Sequence, residues 1–210
     1  HAADGPGLKW EGGSPRIHVP FTPPFSLVNG LSLKAFNSLY FWKPLPKEQA
    51  TLTSFFYPLD AVGDWNRIYG PNGMLQHQCV LPPDSARPAL EQILKRIESR
   101  KTGSFLAVLK RFGDVTSPGL LSFPRPGMTL ALDFPHRGQG TLDLLESLDE
   151  IVVAVGGAVN PAKDARMSPE SFQAFFPQWV RLEPFIDPAF SSSFWRRVTA
   201  SPEASGSQRS

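Results

Sequence analysis

One cysteine in 210 residues, Cys79, leaves no partner for an internal disulfide and no multi-cysteine metal site. The four histidines, His1, His18, His77 and His136, are scattered without ligand spacing, so no metal is expected. No apolar run approaches the roughly 18 residues of a membrane span, and no signal peptide opens the chain. Neither sign of charge dominates: 21 basic and 19 acidic residues leave a formal net charge of +2, too weak a field to gather nucleic acid. GxGxxG, P-loop, HExxH and GxSxG motifs are all missing. Gly138-Gln139-Gly140 is too short to be more than a turn, and Gly103 to Leu109 is only a loose echo of the aromatic RNA-binding pattern.

What is present is apolar mass and stiff connection. Hydrophobic residues make up 41% of the chain, with 16 Phe and 5 Trp, so a globular core is expected; 22 Pro and 17 Gly exclude a plain helical bundle. At this length roughly 70% of the unfolded surface can be buried. The opening HAADGPGLKWEGGSP, residues 1–15, reads as a flexible linker within a longer polypeptide.

The pattern then resolves into elements. Arg16 to Val19 and Thr51 to Tyr57 suit short strands, and Leu33, Phe36, Leu39 and Tyr40 recur at helical spacing within Ser32 to Trp42, as in a core-packing helix. Pro58 to Gly73 reads as a long irregular loop whose Trp65 and Tyr69 are placed to cap a site. Regularity begins at Leu75. A strand to Leu81, a helix with apolar Ala89, Leu90, Ile93, Leu94 and Ile97, and strands Ser104 to Phe112 and Met128 to Phe134 follow one another. A helix on Leu142, Leu145, Leu148, Val152 and Val155 ends at Gly156-Gly157, and Ala158 to Asn160 is a last strand. This β-α-β-β-α-β order predicts an α+β fold with a ferredoxin-like split βαβ sheet.

In such a sheet one face carries both helices. Strand alternation puts Gln76, Gln78, Lys110, Thr129 and Asp133 together on the other. Asp133 is then either a solvated carboxylate on a half-exposed strand or the wall of a pocket. Lys163, in Asn160-Pro161-Ala162-Lys163-Asp164-Ala165-Arg166, sits on a loop between the last strand and a helix started by Ser168-Pro169-Glu170. It is either a solvated loop charge or a site cation. The tail adds Phe172, Phe175 and Phe176, and a helix from Asp187 through Phe194 and Trp195 to Arg197; Thr199 to Ser210 is polar and small. These aromatic residues need a surface to dock on, either the sheet face or something beyond this sequence.

Several ordered motifs, FFYPLDAVGDWNRIYG (Phe55 to Gly70), MLQHQCVLP, LKRFG, GLLSFPRPG, LALDFP and AKDAR, carry a resemblance that spans about Arg16 to Val198. The chain resembles the C-terminal half of the decaprenylphosphoryl-ribose 2-oxidases, FAD-linked oxidoreductases of the vanillyl-alcohol oxidase superfamily. The resemblance implies a substrate domain over 16–157, a helical segment over 158–198 that returns to an N-terminal FAD-binding domain, and a tail over 199–210. It implies that Gln76, Gln78, Lys110, Thr129 and Asp133 line a pocket over the flavin, with Phe56 in a flap at the lipid-sugar entrance. Lys163 would approach both flavin and sugar hydroxyl, and Asn160 would stand at a flavin contact. The implied substrate is a lipid-linked pentose, and the implied partner a short-chain reductase that completes an epimerisation in bacterial cell-wall precursor synthesis, with the protein soluble or peripheral to the membrane.

Two departures stand out. Ala131 replaces the cysteine that mycobacterial members carry two residues before the aspartate, with Thr129 in place of an asparagine, and Asn160 replaces a tyrosine. Inhibitors that need that cysteine are expected to leave residue 131 unlabelled. Two alternatives stay open: an aldonolactone or sugar-alcohol oxidase of the same superfamily, and a flavin-free ligand-binding module.

Overall fold

The computed structural model describes residues 17–43, 61–163 and 166–200. Its first elements form a small annex. Strand β1 (Ile17–His18) pairs in parallel with β2 (Val62–Gly63), and helix α1 (Gly30–Trp42) lies between them in sequence. Asn29 caps α1 by accepting from the amides of Leu31 and Ser32, while the Ser32 side chain accepts from the Asn29 amide, a reciprocal box that fixes the helix start. Only Leu33 of α1 is buried; Phe36 touches the Phe105 ring at 5.1 Å, and Leu39 and Tyr40 are 75% and 70% exposed. The expected core-packing stripe is therefore one turn long. Thr51 to Tyr57 lies outside the described residues.

The stretch expected as an irregular loop is more ordered than its composition suggests. After β2 it forms a 3-10 turn, Trp65–Tyr69, and Arg67 reaches back to the carbonyl of Val19 at 2.9 Å. Tyr69 is thereby buried with Val28 and Leu33, flanked by Trp65, Ile68, Met74 and Phe105.

The main body follows the alternation of the sequence. Strand β3 (Met74–Leu81) leads to helix α2 (Ala86–Ser99), edge strand β4 (Ala107–Phe112), strand β5 (Gly127–Pro135), helix α3 (Gln139–Ala154) and the short β6 (Ala158–Val159). The sheet order is β4-β5-β3-β6, with every pairing antiparallel. Within this unit that is fourth, first, third, second from one edge, the ferredoxin-like order. Cys79, Leu81, Leu130, Leu132 and Phe134 pack on Ala89, Ile93, Leu144, Leu148 and Val152 of the two helices, where burying each large side chain contributes about 1.5–3 kcal/mol.

Gly156 and Gly157 close α3. Gly156 takes the left-handed conformation (φ 69°), and a Cβ on Gly157 would stand 2.5 Å from the carbonyl oxygen of Val80, so only glycine lets β6 come alongside β3.

Beyond β6 the aromatic tail docks on the helix side. Helix α4 (Pro169–Phe175) is capped by Ser168, and its Phe172 and Phe175, with Phe176 just after it, are buried in the same core as Met167 and Val198. The helix expected from Asp187 is two pieces, a 3-10 turn at Pro188–Phe190 and α5 (Ser193–Val198). The serine run between them explains the break: Ser192 accepts from the Trp195 amide and starts a new helix.

Candidate functional site

The register of β3 and β5 builds the site. Gln76 is paired with Asp133, Gln78 with Ala131 and Val80 with Thr129; across the other edge of β5, Val108 faces Ala131 and Lys110 faces Thr129. Paired residues of antiparallel strands share a face, so all of these project away from α2 and α3.

The polar groups on this face are tied together. Gln76 Nε2 donates to Asp133 Oδ1 at 2.6 Å, and Gln78 Nε2 donates to Thr129 Oγ1 at 3.2 Å. The remaining oxygen of Gln78 accepts from Asn160 Nδ2 at 2.8 Å. Asn160 in turn accepts the Ala162 amide on its side chain and the Lys163 amide on its backbone, which shapes the 3-10 turn Pro161–Lys163. Lys163 itself is exposed.

Asp133 is not a solvated surface carboxylate. It is fully buried on this face, and its Oδ2 has no hydrogen-bond partner. Burial pushes its carboxyl above the usual carboxylate range, while the Gln76 hydrogen bond and the charge of Lys163 pull it back. The positive charge of Lys163 thus reaches the buried carboxylate.

Gln76, Gln78, Thr129, Asp133, Asn160 and Lys163 thus converge. Lys110 shares the face from the exposed edge strand, and Phe56 falls outside the described residues. Two neighbours of Asp133 extend the set: Ser104, which the sequence did not single out, and Tyr69, expected only as a loop aromatic capping a site. Ser104 Oγ accepts the Asp133 amide at 2.9 Å, standing in for the ladder bond that β4, beginning at Ala107, is too short to make. Tyr69 is buried beside the carboxylate, and burial, then the charge of Asp133, pushes its phenol far above the ordinary value. An aromatic residue in the segment before β3 was the only signal for Tyr69, and Ser104 carried none.

The group offers amide donors and acceptors, one unsatisfied carboxylate oxygen and a nearby cation, a set suited to a polyhydroxylated ligand with a charge-accumulating partner. Among the described residues no group of three His, Cys, Asp or Glu side chains could hold a metal ion.

No protein-family profile matches the chain. It is 35% identical over 189 residues, 87% of its length, to the decaprenylphosphoryl-beta-D-ribose oxidase of Mycolicibacterium smegmatis. The chain is thus similar to part of a decaprenylphosphoryl-beta-D-ribose oxidase. It is also 36% identical over 159 residues, 73% of its length, to a Streptomyces coelicolor protein named only as an uncharacterized protein in the mprA 5′ region. The chain spans about two-fifths of the length of these curated relatives, 40% and 43% respectively. Among the described residues of this oxidase-like chain, no helix is long and apolar enough to cross a membrane.

Proposed function

We propose that the chain is the substrate-domain part of an FAD-dependent oxidase that converts the 2-hydroxyl of a polyprenylphosphoryl pentose to a ketone. This is the first half of an epimerisation that a short-chain reductase completes. Residues 16–157 serve as the substrate domain, and 158–198 lead back toward a flavin-binding domain. The observation that carries the reading is a buried carboxylate: Asp133 with one oxygen unpartnered, hydrogen-bonded by Gln76 beside Gln78 and within reach of the charge of an exposed Lys163.

These residues fit a flavin and a sugar. A flavin held here would supply the acceptor for the carbinol hydride, with the hydroxyl proton released to solvent as the ketone forms. Gln76 and Gln78 orient sugar hydroxyls, since each amide both donates and accepts, and Asp133 Oδ2 accepts a hydrogen bond from one of them. Lys163 sets positive charge where negative charge develops, which is its main role; Asn160 shapes the turn that presents it. Thr129 holds Gln78 in orientation, and Lys110 borders the site from β4.

The test is anaerobic reduction of the longest natural reading frame that contains this chain. Bound flavin absorbance is expected to bleach with a short-chain polyprenylphosphoryl ribose and not with free ribose. Lys163→Met is expected to slow bleaching by roughly 10²–10³-fold, the scale for removing one electrostatic stabiliser. Equal bleaching by free sugars or aldonolactones would turn the assignment to the soluble-sugar oxidases. Failure to bind flavin would leave a ligand-binding module.

A further inference from the structure

On the opposite side of the sheet from the pocket lies a chain of ionisable groups for which the proposed chemistry has no use. His77, on β3 between the two pocket glutamines, points toward the helices, where its Nε2 lies 2.9 Å from Asp149 Oδ1 of α3. Both side chains are buried, at 3% and 0% exposure. The other oxygen of Asp149 is 2.9 Å from Arg166 Nη2, and Arg166 Nη1 donates to Glu146 Oε2 at 2.6 Å. Arg166 follows Lys163 by three positions in the sequence.

Strand β3 therefore grips both ends of the stretch from Asn160 to Arg166. From the pocket face it does so through Gln78 and Asn160, and from the helix face through His77, Asp149 and Arg166. A buried ion pair is a poor source of net stability, because an apolar replacement of similar volume usually matches or exceeds it. What it supplies is a constraint of position: the guanidinium hydrogen-bonds Glu146 and makes an ion pair with Asp149, two carboxylates one turn apart on α3.

We propose that Arg166 is the positioning residue for Lys163. Clamped between Asp149 and Glu146, and backed by His77, it fixes the far end of the stretch so that the Lys163 charge stays within reach of the buried Asp133 carboxylate. The inference rests on Lys163 being the site cation, yet the position of the loop can be read without flavin or turnover.

The experiment is amide hydrogen exchange on the longest natural reading frame that contains this chain, resolved to the peptide spanning 158–166, for wild type, Arg166→Met and Arg166→Lys. Arg166→Met is expected to raise exchange of the Ala162 and Lys163 amides by about tenfold or more while β3 and β5 keep their protection, and Arg166→Lys, which keeps the charge but cannot reach both carboxylates with a fork, is expected to recover only part of the loss. Since Arg166→Met strands buried Asp149 and can unfold the chain, a second variant removes the buried His77–Asp149–Arg166 group together: His77→Leu, Asp149→Leu and Arg166→Met. This variant is expected to fold, with the loop amides still exchanging fast. Wild-type protection of the loop in either folded variant would overturn the proposal, as would fast exchange spread evenly over the sheet. If the loop loosens as expected but Lys163→Met leaves flavin reduction untouched, the clamp stands and the catalytic reading of Lys163 falls.

Discussion

Asp133 is held in a place that disfavours its charge. Its folded-state pKa lies above the unfolded value of about 3.9, so in the acid range the native chain binds more protons than the unfolded one. The contribution to stability is greatest below the unfolded pKa and is lost as pH rises through the folded value. Asp133→Asn keeps an oxygen for Gln76 and removes the titration. Urea unfolding at pH 4 and pH 7 is expected to show wild type losing ground to the variant as pH rises; a gap that stays constant would mean that Asp133 is not strained. Cys79 gives a second check on the same face-by-face burial. Its thiol is pushed up to about 12, chiefly by burial, partly relieved by a backbone hydrogen bond with Leu130 and raised further by the charge of Asp149. At neutral pH a thiol reagent is therefore expected to leave the native chain unlabelled and to react once denaturant is added, since only the thiolate attacks. Labelling of the native chain at a rate near that of the denatured one would show β3 opening locally.

The central elements could be read from the sequence because their sequences have only one way to bury themselves. Met128, Leu130, Leu132 and Phe134 alternate with Thr129, Ala131 and Asp133, and shifting β5 by one residue would put a carboxylate under α3; the register is fixed by that penalty. The same alternation placed Gln76 and Gln78 opposite Asp133 and Ala131, so the core of the site was legible with the strands. Tyr69 was legible only as an aromatic residue of a loop placed to cap a site, and Ser104 not at all, because a buried phenol in a 3-10 turn and a hydroxyl replacing a missing ladder bond depend on contacts between segments far apart in sequence. Helix α1 was misjudged for the opposite reason: its apolar spacing is real, but little of the described chain lies against it beyond Leu33 and Phe36. Its start is nonetheless well specified, and Asn29→Ala is expected to cost about 1 kcal/mol, seen as reduced protection of the α1 amides with the sheet unchanged. The C-terminal elements make a stronger claim. Phe172 is fully buried and meets Phe176, Phe194 and Trp195, at ring distances from 5.4 to 6.3 Å. Phe172→Ala is expected to cost about 3–5 kcal/mol, and a single unfolding transition should survive if 166–200 folds with the sheet. A separate early transition would mean that α4 and α5 dock on an already folded unit.

The molecule as a whole is unevenly finished. The helix side of the sheet is sealed by α2, α3 and the aromatic tail, with Phe172, Phe175, Phe176 and Val198 all within the core. The annex is not sealed: Leu31, Leu39, Tyr40, Phe41 and Trp42 of α1, with Phe21 and Phe25 before it, all stand at least 66% exposed. Such a run of neighbouring apolar groups exceeds what a soluble monomer ordinarily leaves to water. No acidic residue lies between Ile17 and Lys43, so no carboxylate in that stretch opposes association through this surface. A self-sufficient binding module would have covered it, and a portion of a longer oxidase need not. The chain taken alone is therefore expected to associate reversibly as its concentration rises and to enhance the fluorescence of a hydrophobic dye. Phe41→Ser with Trp42→Ser should weaken both, because each ring contributes on the order of 2–3 kcal/mol of burial when a neighbour covers it. Sedimentation velocity over a tenfold concentration range reads the outcome. A chain that stays monomeric and dye-silent would mean that the annex folds back on itself, and the case for a longer oxidase would then rest on the pocket carboxylate and the curated relative alone.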